Sequence, residues 1–265
     1  MGEIRLDPDN LSYTVIFEKS TGDCKVCNLK GAPIETLDFG LSQVKVYEVK
    51  SEVQPSKFEL QGDHFKSSPS HGYEELIVDR EKHGDNFLKL NPEDISKLLS
   101  IVSNRITTLS KYEIGENIVV TRCLLGHGAF DLYVLPFPKF KGRGCSICKD
   151  NSNTLNREIF RDENFVIYTK FAPISNIDIV ISSIKHLSFE ALDDVLIFDL
   201  AGMIHKLLDV LNSKDLSLVI YESADKHATI NILSGCVSAY RFLQINEINE
   251  SPEGIASKLR EKFTT

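Results

Sequence analysis

Four of the six cysteines fall in two pairs, CKVC at 24–27 and CSIC at 145–148, and four of the seven histidines follow them at matched intervals. Two thiolates at this spacing can hold one tetrahedral zinc ion from a single tight turn, and two imidazoles then close the site. His83 and His127 follow the first pair, and His186 and His227 follow the second, with 44 and 41 positions between the partners. The expected ligands of two structural zinc ions are therefore Cys24, Cys27, His83 and His127, and Cys145, Cys148, His186 and His227. A thioredoxin-like redox role would need a strand and helix around each pair, and neither pair opens an apolar-periodic helix. Cys123 and Cys236 stand outside the pattern and read as plain buried thiols. His64, His71 and His205 lack any such relation, and His205 reads as an ordinary mid-helix residue.

The elements that must position these ligands occur in the same order twice. After CKVC comes a polar, glycine-bearing region, then the strand-like GYEELIVD and His83. NPEDISKLLSIVSNRITTL follows, with Asn91 as N-cap, Pro92 at the first helical position and Ile95, Leu98, Leu99, Val102, Ile106 and Leu109 on one face. Two strand-like runs, NIVVTRCLL and FDLYVLPF, flank His127. The second half runs from CSIC through ENFVIYTKF and IDIVISS to His186. A helix is expected from Ser188 to Leu211, its apolar stripe including Leu192, Val195, Leu200 and Leu207, and LSLVIYES and TINIL then flank His227. A last helix begins at Ser251-Pro252-Glu253 and is expected to pack through Ile255, Leu259 and Phe263. EELIVDREKH and DIVISSIKH both close on Lys-His, so an internal duplication is the economical reading. PFPKFKGRG, at 136–144, reads as the link, which divides the chain into lobes at 1–141 and 142–265. The expected class is α/β (α+β), with two tandem lobes, each a mainly antiparallel sheet backed by a long helix.

Composition narrows the function. A net charge of -8 and a pI near 5.4 argue against a broad nucleic-acid surface, because phosphate neutralisation needs clustered lysine and arginine. No apolar run is long enough to span a membrane, and MGEIRLDPDN lacks a signal-peptide pattern, so the expected location is the cytoplasm.

Further stretches carry a resemblance. IRLDPDNLSYTVIF, CKVC, GYEELIVDREKHGD and AYRFLQINEINESPEGIASKLREKF together resemble the galactose-1-phosphate uridylyltransferase family, a branch of the histidine-triad superfamily, along nearly the whole chain. That family's motif is His-Pro-His-x-Gln, followed by Leu-Pro and often Phe. Counting back from Leu135-Pro136-Phe137 sets His127 on the first histidine, Gly128 on the proline, Ala129 on the second histidine and Asp131 on the glutamine. By the resemblance, the first histidine is a zinc ligand and the second is the nucleophile that takes the nucleotidyl group. Here that nucleophile is an alanine. The family's His-x-His in the second half corresponds to His227 and Thr229, and its Gly-Ala-Ser segment reads as CLLG.

Ping-pong nucleotidyl transfer needs an imidazole nitrogen to attack phosphorus and hold a covalent phosphoramidate, which a methyl group cannot do. The resemblance therefore implies a zinc-stabilised homodimer that keeps the architecture and binds a nucleotide or sugar phosphate near Glu75, Gly128 and Asp131, without the parent reaction. A second reading is an active nucleotidyltransferase, phosphorylase or hydrolase working by a non-covalent route, with Asp131 or Glu75 as base. A third is a zinc-dependent regulatory or nucleic-acid-binding module, against which the acidic charge weighs.

Overall fold

The computed structural model describes residues 3–9, 11–17, 24–39, 42–49, 60–63, 65–69, 73–84, 87–110, 117–135, 145–152, 154–222 and 227–263. His64, His71 and the expected division at 141/142 lie outside these residues. The first half supplies β1 (Glu3–Leu6), β2 (Tyr13–Ile16), β3 (Glu35–Phe39), β4 (Ser42–Val49), β5 (Lys66–Pro69), β6 (Tyr73–His83), α1 (Pro92–Ser110), β7 (Asn117–Cys123) and β8 (His127–Leu135). The second supplies α2 (Ser146–Ser152), β9 (Glu158–Arg161), β10 (Phe165–Thr169), β11 (Asp178–Ser183), α3 (Asp194–Leu211), β12 (Leu216–Glu222), β13 (Thr229–Ser234), α4 (Ala239–Phe242), β14 (Asn246–Ile248) and α5 (Pro252–Phe263).

Ten strands form one sheet in the order β3-β4-β6-β8-β7-β12-β13-β11-β10-β9. Every pairing in it is antiparallel. From the β7–β12 seam outward the two halves run β7, β8, β6, β4, β3 and β12, β13, β11, β10, β9, so the duplication is a palindrome of strands. The fold is α/β with mainly antiparallel sheet, and the two five-stranded units are fused edge to edge. A second sheet, β14-β2-β1-β5, joins both chain ends through the parallel β14–β2 pair.

Alternation along the strands sends one face to the helices and the other to the second sheet. Phe130, Leu132 and Val134 of β8 share the helix-side core with Ile95, Leu98, Leu99, Val102 and Ile106 of α1 and with Ile197, Leu200, Ile204 and Leu208 of α3. Val119, Tyr133, Leu135, Val219 and Leu233 face the other way, against Ile4, Val15 and Tyr240. Asn91 caps α1 as expected, its Oδ1 accepting from the Asp94 amide at 2.8 Å.

Several expectations need correction. α3 begins at Asp194 and not at Ser188, because Asp193 accepts the Leu196 amide and sets the start, while 189–191 form a separate short turn. Val195 is consequently 68% exposed instead of lying on the buried stripe. In α5, Ile255 and Leu259 are 45% and 48% exposed, so that helix does not pack through them. CSIC leads into a short polar helix, α2, in keeping with the expectation that neither pair opens an apolar-periodic one. Cys123 and Cys236 are not plain buried thiols: Cys236 is exposed, and the two form a disulfide with Cα atoms 5.1 Å apart, joining the end of β7 to the loop after β13. The polar region after CKVC contains β3 and β4, the second of which alternates through the buried Val44 and Val46.

A buried ion pair fixes β6 against β7 and β8. Arg122 is fully buried, reaches Asp79 at 2.8 and 3.2 Å through two nitrogens, and is stacked between the rings of Phe87 and Phe130. Removing one member leaves a charge stranded in the core. Asp79→Ala is therefore expected to cost about 3–5 kcal/mol in urea unfolding. Asp79→Leu combined with Arg122→Met should cost far less, and equal losses in the two proteins would contradict this account.

Candidate metal centres and the sheet face between them

Each Cys-x-x-Cys pair meets histidines delivered by the ends of equivalent strands. In the second half the ligand atoms of Cys145, Cys148, His186 and His227 all lie within 4.8 Å of one another. Cys145 immediately precedes α2 and Cys148 lies in its first turn, the Cys148 amide 3.4 Å from the Cys145 sulfur. His186 stands just beyond β11 and His227 just before β13, and β11 and β13 pair directly. The Cys148 sulfur is 3.2 Å from His186 Nδ1, and the two imidazole rings meet edge to face with centroids 5.0 Å apart.

His227 is oriented as a ligand would be. Its Nδ1 lies 3.4 Å from both Ser182 Oγ and the Ala228 carbonyl oxygen, while its buried Nε2 meets no hydrogen-bond partner among the described residues. Burial holds its pKa below the usual histidine range, which favours the neutral ring that binds metals. A buried nitrogen facing two sulfurs and a second imidazole is satisfied by a cation in their midst. The residues present therefore fit a closed four-coordinate metal ion.

The first half repeats this. The ligand atoms of Cys24, Cys27 and His127 lie within 4.8 Å of one another, with the Cys27 sulfur 3.5 Å from His127 Nε2. The loop is pinched by the Asn28 amide and side chain, each donating to the Cys24 carbonyl oxygen at 3.1 Å. His127 is the first residue of β8, and a register shift near the end of β6 sets His83 directly opposite it. The His83 side chain lies outside the described residues, so its ligand role is an expectation carried by backbone pairing.

Between the centres, β8 presents Ala129, Asp131 and Tyr133 on one face. Ala129 is buried with Leu76 and Val78, and Val26 and Leu29 of the Cys24–Cys27 loop region pack over them. Asp131 is half-buried, with an Oδ1 atom that is shut from solvent and has no hydrogen-bond partner among the described residues. Burial pushes its carboxyl up to about 6; the Lys25 charge opposes the shift and Glu74 adds to it. Lys25 Nζ donates to Glu74 Oε1 and to the Tyr133 hydroxyl, each at 2.5 Å. Burial, then the Asp131 and Glu74 charges, drive the Tyr133 hydroxyl well above its ordinary value.

The other residues expected near a ligand do not meet Asp131. Glu75 points to the helix side and pairs with Arg105 of α1 at 2.6 and 2.8 Å. Gly128 is pressed onto β6, where a Cβ would stand 2.5 Å from the Arg80 Cβ, so a glycine is required there. His205 lies on α3 beside Asp209, at 3.5 Å. Lys25, Glu74 and Tyr133 were missed, although the alternation that exposes Asp131 places Tyr133 two residues on, directly opposite Glu74.

Solved structures with this architecture have related names. A uridylyltransferase structure is 18% identical, with a TM-score of 0.64 over 98% of this chain and 97% of that one. The chain has the uridylyltransferase fold. An ADP-glucose phosphorylase from Arabidopsis thaliana, solved with bound ADP-glucose, is 17% identical, with a TM-score of 0.61 over 98% and 99% of the two chains. A GALT-like protein from the same plant gives 18%, 0.61 and the same coverage. No protein-family model matches the chain, and no curated protein does.

Two outcomes follow from this geometry. Metal analysis of purified protein should find about two metal ions per chain, falling to about one in Cys145→Ser, if both sulfur–nitrogen groups are filled. An unchanged content in that variant would remove the second centre. Asp131 also links stability to pH. Its folded pKa exceeds the unfolded value, so the unfolded chain ionises first and stability is lost between about pH 4 and 6. Asp131→Asn should therefore be stabilised relative to the native chain by about 1 kcal/mol near pH 8, allowing for partial exposure, and by less near pH 5. Thermal melts at the two pH values decide it.

Proposed function

We propose that this protein is a zinc-organised relative of the galactose-1-phosphate uridylyltransferases that binds a nucleotide or sugar phosphate without forming a nucleotidyl–enzyme intermediate. The observation that carries the reading is Ala129. By the sequence resemblance it stands at the position of the family's nucleophile, and its methyl group is buried among apolar side chains beneath the Cys24–Cys27 loop. Nothing at that position can attack phosphorus. The neighbouring position, a neutral glutamine in the family, holds Asp131 with Glu74 close enough to raise its pKa. Two carboxylates against one lysine disfavour the charge that builds on phosphate oxygens during transfer.

Zinc is the proposed metal because two thiolates and two imidazoles form its usual closed structural set. It would be held by Cys145, Cys148, His186 and His227, and by Cys24, Cys27 and His127 with His83, and would supply rigidity to the loops rather than chemistry. The cytoplasm is the proposed location from composition, and the Cys123–Cys236 disulfide, which lies outside both metal sites, is the feature that stands against it. Among the described residues no helix is long and apolar enough to cross a membrane.

One observation favours a second reading, in which the chain turns over nucleotide sugars without a covalent step. A half-buried carboxyl held near pH 6 is suited to general-base work, and Asp131 is such a group. Glu75 cannot share that task from the helix side of the sheet.

Labelled ADP-glucose and UDP-glucose separate these possibilities. The native chain should acquire no label that survives denaturation and should release no product, while either nucleotide sugar raises its melting temperature by mass action. Labelling of the native chain would overturn the proposal, and product formed with inversion at phosphorus would establish the second reading.

A further inference from the structure

Two helices leave apolar faces uncovered, and they complement one another. The outer side of α3 forms one wall of a cavity of about 490 Å³ whose other wall is the edge strand β9 with β10. Phe160, Ile167, Met203 and Leu207 line it, and Val210 at its end is 75% exposed. Three carboxylates, Asp162, Glu163 and Asp199, stand on its margin against one cation, Lys206. Gly202 lies at its floor in the middle of α3, and a Cβ there would meet nothing within 4 Å. A glycine inside a helix is a cost against alanine, and no contact within the chain accounts for it. What the glycine does provide is room for a second backbone to come close.

The occupant with matching chemistry is α5. Its Ile255 and Leu259, one helical turn apart, are both about half exposed, although they form the apolar face of that helix. Lys258 and Arg260 flank them at exposed positions. Lys258 pairs with Glu250, but both groups are solvent-accessible, and such a surface pair exchanges readily. The lengths agree as well: Asp199 to Val210 and Pro252 to Phe263 each span about 17 Å at 1.5 Å per residue. Within one chain α5 lies by β1, where Glu253 reaches Arg5, while the cavity lies on the helix side of the large sheet. Another molecule must supply the helix.

We infer that α5 of one copy seats in the α3–β9 groove of a second copy, with Ile255 and Leu259 over Gly202 and with Lys258 and Arg260 facing Glu163 and Asp199. The contact joins two different surfaces, so each copy offers one helix and one groove, and association proceeds head to tail unless the two contacts close on each other.

Charge reversal tests it on the full-length, metal-loaded protein by light scattering across a dilution series. The native chain is expected to exceed the mass of a monomer. Glu163→Lys with Asp199→Lys, and separately Lys258→Glu with Arg260→Glu, should each give monomers with native circular dichroism and metal content. Mixing the two variants should restore association, because a lysine-bearing groove then meets a glutamate-bearing helix while the other contact is native. Gly202→Leu fills the groove with a better helix former and should give a stable monomer. A monomeric native chain, variants that still associate, or a mixture that stays monomeric would each overturn the inference. Should a charge variant fail to fold, the mass of Gly202→Leu decides alone.

Discussion

The antiparallel pairing of β7 with β12 is the contact on which the rest of the molecule depends. Six residue pairs, from Ser217 opposite Cys123 to Glu222 opposite Ile118, turn two five-stranded units into one sheet. Each unit alone would end in a long apolar edge, since Ile118, Val119, Val120, Leu218, Val219 and Ile220 are all buried at the seam. Unpaired edges of this kind invite association with other chains, and fusing them removes the hazard. The same seam lays α1 beside α3 over one face, so neither half owns a complete core.

Metal-binding geometry follows from that arrangement by register. In each half, strands two places apart in the chain become neighbours in the sheet: His83, ending β6, pairs with His127, opening β8, and His186 and His227, just outside β11 and β13, meet ring to ring. Tight pairing fixes the histidines before any ion arrives, and the Cys-x-x-Cys loop is the part that must close. Asp79 and Arg122 guard this in the first half, since they clamp β6 beside the shifted register that brings His83 opposite His127. Specificity of placement justifies a buried ion pair whose desolvation is expensive.

Much of this was readable from residue order. Paired cysteines, the spacing of the histidines and the apolar stripes of α1 and α3 depend on local periodicity, which survives in a single sequence. The edge strands β3 and β9 escaped because they contact few apolar neighbours; all four residues of β9 are exposed, so no alternation marks them. The start of α3 was misplaced because apolar Leu192 continues the stripe, whereas the Asp193 cap decides where the helix begins. Pairing of Cys123 with Cys236 links positions 113 residues apart, and no local pattern reports such a meeting.

On the proposed reading, in which Ala129 stands where the resemblance puts a nucleophile, the whole neighbourhood and not one residue alone is unsuited to that chemistry. A histidine would stand among Leu76, Val78, Val26 and Leu29, where desolvation opposes an imidazolium. Two residues on, Asp131 lies near Glu74, and the charge that compensates them comes from Lys25, inside the first cysteine pair. The metal loop thus contributes both the apolar cover over position 129 and the cation beside position 131. An ion bound by this loop would therefore be coupled to the neutralisation of this face through a single lysine flanked by its ligands. A face organised in this way uses its positive charge internally, which leaves less of it to hold a transferring phosphoryl group.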